Sequence, residues 1–331
     1  MEIWNFLKRI DKKLNDFCIS KDWVYVFFQS KDALMADFES ESRFDPLKRV
    51  SLVKHDNFSQ NQIYPKCLRL AGSAWRIKSL GFYILSELES DQKVKIIWHK
   101  TVKNISNIPK SDVIIWTVGT THLLPDIYSK YCRIQGIPGC WLTIPNKGFN
   151  TPFKVSLPQP SGYINVTPDG DLLHISGGFG WTGELNFYQS AALMEPVKQH
   201  FLKQIAMLFK IPINRLKNSR EYHFGICVRP SSPTGLPDVR DLKLNGIRYI
   251  FLSGSGKSGS TQAPLLGLFV TSNLSQNIFG LPYFKSLNRM NKKIIQEGLN
   301  ELFALSKEER DYTDTKYPKY LEEDLFAIST P

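Results

Sequence analysis

Two periodicities alternate along the chain and divide it into helical ends around a middle of short strands. Ile3, Leu7, Ile10, Leu14 and Phe17 recur at helical spacing, so residues 3 to 17 predict an amphipathic helix. Trp23 to Phe28 predicts a strand, and the alternating Val94, Ile96 and Trp98 predict another short one. Asp112 to Val118 is nearly all apolar, the pattern of a strand buried on both faces of a parallel sheet. From Tyr131 to Gly183 short apolar runs are punctuated by Gly and Pro, which predicts an antiparallel sheet; within it Tyr163 to Val166 and Leu172 to Ser176 form a hairpin through Pro168-Asp-Gly170. Pro196 opens a helix with Val197, Phe201, Ile205, Leu208 and Phe209 on one apolar face. Tyr222 to Val228 predicts a further strand, and Asn245-Gly246 a turn into the run Tyr249 to Leu252. After Pro282 the pattern is helical and charged.

The stretch Arg248 to Gly267, RYIFLSGSGKSGSTQAPLLG, combines a β-like run, a loop with Gly254, Gly256 and Gly259, and a helix opened by Pro264. Glycines let backbone N–H groups approach a ligand, and a helix N-terminus favours an anionic group. Three common loops can be tested on it. A Walker A loop needs glycine where Phe251 stands, and a G-x-S-x-G elbow needs glycine where Ser260 stands. Gly254, Gly256 and Gly259 do satisfy G-x-G-x-x-G, yet no second strand ending in an acid follows, so the stretch does not open a dinucleotide fold. Gly178-Phe-Gly-Trp-Thr-Gly183 repeats the spacing, but it follows an antiparallel hairpin and holds two bulky aromatics. On spacing alone, a tight strand-to-helix connection stays open for the central loop.

Gly256-Lys-Ser-Gly-Ser-Thr-Gln-Ala-Pro-Leu265 resembles the C-terminal flavin-contacting segment of the D-amino-acid oxidase and glycine oxidase superfamily. It is especially similar to Gly-x-Arg-Gly-x-Thr-x-Ala-Pro-Leu in the oxidase half of the bacterial enzyme that completes 5-methylaminomethyl-2-thiouridine in tRNA, with Ser258 in place of the Arg. Val228-Arg-Pro-Ser-Ser-Pro-Thr-Gly-Leu-Pro237 resembles the family's Arg-Pro-x-Thr-Pro-Asp-Gly-Leu-Pro, with Thr234 in place of the Asp. Asp112 to Gly119 resembles the strand ending in Ala-Thr-Gly, and Lys100-Thr-Val-Lys-Asn-Ile105 the segment whose Val lies beside the adenine. Gly72 to Leu88 resembles the helix returning to the cofactor domain, with Arg76 where the family has Pro. The family's opening βαβ unit has no counterpart before Trp23.

The resemblance implies a mixed α/β fold: a truncated glutathione-reductase-like FAD-binding domain interleaved with an antiparallel-sheet substrate domain. It divides the chain into an N-terminal helix (1–20), substrate-domain segments (21–75 and 129–221), FAD-domain segments (76–128 and 222–282) and a helical tail (283–331). FAD is the implied cofactor, with Val102, Gly119, Gly254, Gly256, Lys257, Gly259, Ser260 and Thr261 its contacts. Arg229 is the implied grip on a substrate carboxylate, a task that a planar bidentate cation performs better than Lys. The implied substrates are an amine or amino acid such as glycine or a D-amino acid, or a carboxymethylaminomethyl group on tRNA. A partner chain supplying the ADP-binding unit, or a non-catalytic remnant without independent FAD binding, are the alternatives that the same departures raise.

Composition adds bounds. With 42% hydrophobic and 22% charged residues the chain is globular, and the net charge is +11 although the last 31 residues are acidic. A basic body suits an anionic ligand or nucleic acid, or is an ordinary Lys-rich surface. Five cysteines with no C-x-x-C pair argue for free thiols rather than a disulfide frame or zinc site, and the six histidines show no metal-ligand spacing. No apolar run approaches 18 residues and no secretory signal is present, so a cytoplasmic protein without metal is expected.

Overall fold

A computed structural model of the chain describes residues 2–20, 23–43, 49–54, 64–99, 102, 108, 111–117, 135–157, 163–177, 187–218, 222–232, 237–244, 246–254, 259–275, 279, 282–285, 287 and 289–307. The strands are β1 Cys18–Ser20, β2 Trp23–Phe27, β3 Ser51–Lys54, β4 Lys66–Ala71, β5 Ala74–Trp75, β6 Val113–Trp116, β7 Gln135–Pro145, β8 Phe153–Ser156, β9 Tyr163–Asp169, β10 Leu172–Gly177, β11 His223–Ser231, β12 Asp238–Leu244 and β13 Ile247–Ser253. The helices are α1 Glu2–Ile10, α2 Lys31–Arg43, α3 Ile77–Ser90, α4 Phe187–Phe209, α5 Ile213–Asn218, α6 Gly259–Leu274, α7 Pro282–Lys285 and α8 Arg289–Lys307.

Eight strands form the large sheet in the order β11-β7-β10-β9-β8-β2-β4-β3. All of its pairings are antiparallel except β2 with β8. The predicted hairpin is present as β9 and β10, with Leu172 opposite Asp169 and Gly170 at φ 59 in the turn. Alternate residues Ile164, Val166, Leu173, Ile175, Leu142 and Ile144 face one side, where Val197, Phe201, Leu202 and Ile205 of α4 cover them. Each such fully buried aliphatic or aromatic side chain contributes about 1.5–3 kcal/mol. On the other side α2 packs on the β2–β4–β3 end, burying Leu34 against Val26, Phe28 and Leu68, and reaches Tyr163 of β9.

The small sheet runs β12-β13-β6, with β13 antiparallel to β12 and parallel to β6. Helices α6 and α8 pack on it through Phe269, Ile295, Leu299 and Leu302, and Leu7 of α1 joins the same core. The predicted all-apolar strand is therefore β6, paired in parallel, though Ile115 is 45% exposed. Among the described residues His223–Ser231 is one of the two edge strands of the large sheet.

Several boundaries differ from expectation. The N-terminal helix stops at Ile10, because Asp11 accepts a hydrogen bond from the Lys13 N–H (3.0 Å) and restarts the chain as a 3-10 turn over Lys12–Phe17. Val94 to Trp98 form no strand: the Val94 N–H is taken by the Asp91 carbonyl in a turn (2.9 Å). Helices α4 and α6 begin nine and five residues before the prolines expected to open them, Pro196 and Pro264. Each proline removes one helical N–H bond, which the packing of the surrounding helix tolerates. Among the described residues no helix is long and apolar enough to cross a membrane.

Candidate functional site

The glycine loop lies at the carboxyl end of the small sheet. Residues Tyr249 to Ser253 of β13 are buried, so the strand is fixed between its two neighbours, and the chain leaves it at Gly254 with φ 74. A side chain is disfavoured there. The Gly254 carbonyl accepts the Ser232 N–H at 3.1 Å, tying the loop to the end of β11 just beyond Arg229. Gly259, Ser260 and Thr261 form the first turn of α6, where backbone N–H groups have no partner within the helix. The structure thus brings Gly254, Gly259, Ser260, Thr261 and the Arg229 strand into one neighbourhood. Val102 is half-buried and belongs to no helix or strand, and no described interaction links it to the loop. Gly119, Gly256 and Lys257 lie outside the described residues.

Two buried polar atoms flank this edge without a hydrogen-bond partner: Gln262 Oε1 in the start of α6 and Trp116 Nε1 at the end of β6. Orphaned buried groups of this kind are uncommon in a folded protein and suit a polar ligand at the edge. A helix N-terminus, a left-handed glycine and an unsatisfied amide oxygen together fit the polar ring edge of a flavin.

The second half of the site is the face of the large sheet opposite α4. Register places Gly225, Trp141, Ser176, Asn165 and Lys154 in one row across β11, β7, β10, β9 and β8. Arg229 and Trp141 each lie over a glycine of the neighbouring strand. A methyl group at Gly139 would fall 2.4–2.7 Å from three guanidinium atoms of Arg229, and one at Gly225 would fall 2.2–2.3 Å from three atoms of the Trp141 indole. Arg229 makes no hydrogen bond or ion pair with the described residues, and Trp141 is 43% exposed. Burial lowers the Lys154 ammonium below its usual range, opposed by the field of Glu41. Behind the face, burial raises the Cys140 thiol to about 12, so that this cysteine is inert packing.

Around this row the other polar groups are paired. Thr143 Oγ1 and His174 Nδ1 share a hydrogen bond of 3.1 Å, His174 Nε2 lies 3.8 Å from Asp169, and both Asp169 oxygens accept from Arg76. Those bonds hold the Asp169 carboxyl below its usual range. Tyr163 donates to Asp37 of α2 at 2.5 Å, and burial together with that bond raises its hydroxyl. Sequence reasoning singled out Arg229 and did not single out Trp141, Ser176, Asn165 or Lys154, which share its face of the sheet. Strict alternation in β7, β9 and β10 marked two faces, but only the strand order shows which of them stays open.

The molecule is a mixed α/β protein in which the Ser232–Gly254 bond ties the end of a small parallel-containing sheet to the end of strand β11 of a large, mostly antiparallel one. No family model and no curated protein matches the sequence. Among solved structures, L-proline dehydrogenase from P. horikoshii superposes with a TM-score of 0.57 at 13% identity, covering 85% of this chain and 79% of that one. An FAD-dependent oxidoreductase from Pseudomonas aeruginosa gives 0.40 at 11% identity, covering 78% and 69%. The first likeness shows the fold that the two chains share.

Proposed function

We propose that this chain is an FAD-dependent oxidoreductase that oxidises a C–N bond of an amine or amino acid. The observation that supports the reading is the junction of Ser232 with Gly254, which ties the end of the Arg229 strand to the end of β13, while the Arg229 guanidinium lies over Gly139 and makes no hydrogen bond or ion pair with the described residues. The fold shared with an L-proline dehydrogenase supports it. FAD, when bound, would supply acceptance of a hydride from the carbon beside the substrate nitrogen. Gly254, Gly259, Ser260 and Thr261 would hold its polar edge, the α6 N-terminus would favour negative charge there, and Arg229 would orient the substrate by its carboxylate. The substrate thereby loses two electrons and two protons overall, leaving an imine that water hydrolyses. A free amino acid uses Arg229 directly; a carboxymethylaminomethyl group on tRNA would present the same carboxylate, and the basic net charge of +11 suits that bulkier substrate.

The test is the visible absorbance of the purified chain, alone and after adding FAD. A flavin band that Gly259→Val abolishes, with amine-dependent bleaching that Arg229→Met abolishes while keeping the band, is the expected result. A folded, colourless chain that ignores FAD defeats the reading.

A further inference from the structure

Arg229 and Trp141 are planar groups on adjacent strands, and both lie flat because the residue beneath each is glycine. Two cut-outs in a sheet otherwise built of side chains leave a smooth bed on its open face. Gly139, under the guanidinium, stands two residues before Trp141 on β7, so cation and ring are offset by about 7 Å along the strand. Arg229 makes no hydrogen bond or ion pair with the described residues, and the indole remains 43% exposed. The guanidinium offers a bidentate fork for a carboxylate, and the indole a face for another ring. In the same row the Asn165 amide donates to the Ser176 carbonyl at 3.5 Å, so polar groups border the ring bed on its far side.

We propose that this bed selects acids bearing an aromatic ring a few bonds from the carboxylate, so that the substrate class is an aromatic amino acid or arylalkyl amino acid rather than glycine. The carboxylate pairs with Arg229 and the ring lies on Trp141. The inference rests on the proposed reading of Arg229 as a carboxylate anchor and adds ring recognition to it. Small aliphatic amino acids would meet the anchor and leave the indole uncovered.

Calorimetric titration of the full chain, with and without FAD, tests it using two acids of equal charge and length, 3-phenylpropionate and 3-cyclohexylpropionate. The wild-type chain should prefer the phenyl acid by about three- to tenfold. Trp141→Phe should keep the preference and Trp141→Leu should erase it, with circular dichroism checking that each variant is folded. If Trp141→Leu does not fold, Gly225→Ala, which displaces the indole, must reduce the preference in its place. Arg229→Met should weaken both acids about tenfold and leave their ratio intact. Equal binding of both acids by the wild type, or a preference that survives Trp141→Leu, overturns ring recognition while the anchor stands. If Arg229→Met leaves both affinities unchanged, the anchor fails and takes the inference with it, whereas a retained flavin band would keep the cofactor reading alive.

Discussion

Asp169 looks in the sequence like the middle of a turn, Pro168-Asp-Gly170, and nothing in that motif announces a partner 93 residues earlier. In the structure Arg76 reaches it with Nε and Nη2 while Nη1 donates to the Asp16 carbonyl at 3.1 Å, so one guanidinium joins the β9–β10 turn to the segment before β1. Arg76 is also the residue that departs from the proline of the resembled family, and this clamp gives the departure a physical use. The pairing holds the Asp169 carboxyl below its ordinary range. Its stabilising contribution is therefore complete above the unfolded value, near pH 4, and is lost as pH falls through the depressed folded value. Asp169→Asn should lower the urea midpoint at pH 7 by an amount worth under about 1 kcal/mol, because the Arg76 side chain is 42% exposed and screened. The gap from wild type should close as the pH drops well below 4. A gap that persists unchanged at the acid end would mean that Asp169 acts through packing or turn geometry instead. Arg229, by contrast, was legible from its Arg-Pro motif, whereas its bed on Gly139 required the register of β7 against β11.

Elements were legible where local pattern and tertiary burial agree. The hairpin of β9 and β10, the strand β13 and the apolar face of α4 all appear as read, because alternation or helical spacing coincides with one buried face. Val94, Ile96 and Trp98 alternate equally well, yet a strand needs a neighbour, and the segment turns at Asp91 with Ile97 and Trp98 exposed. The prolines misled in the opposite direction, since proline marks a helix start only when nothing upstream is helical. At the element scale one polar tie joins three elements through Arg248 in β13. It forks onto Asp241 of β12 at 2.9 and 2.6 Å and donates to the Asn273 carbonyl and side chain at 3.0 and 2.8 Å, near the C-terminus of α6. A cation there satisfies end carbonyls and favours the helix dipole. Arg248→Met should cost about 1–2 kcal/mol after allowance for partial exposure, and Arg248→Lys should recover only part, since an ammonium cannot fork. Denaturant midpoints decide this; equal stability of the Lys variant and wild type would show that charge alone suffices.

At the scale of the whole molecule, and among the described residues, the apolar core between the large sheet and α4 shares no residue with the one between the small sheet and α6 and α8. The Ser232–Gly254 bond bridges the β11 end of the first to the loop that leaves the second. Cores joined mainly through loop contacts need not melt together, and two-state behaviour is then lost. Scanning calorimetry of the chain without flavin should therefore show two transitions, the smaller assigned to the small sheet. If FAD binds at Gly254 and the first turn of α6 as proposed, it would stabilise that unit directly, by about 2.7 kcal/mol at a hundredfold excess over Kd. The small-sheet transition should move up first and approach the other. Adding 3-phenylpropionate in the presence of FAD should then raise both, because Arg229 and Trp141 belong to the large sheet while Gly254 and the start of α6 belong to the small one. A single transition that neither ligand moves would show that the cores fold as one unit and that the open face binds neither compound. Movement with FAD alone would confine the site to the glycine loop and remove the large sheet from the chemistry.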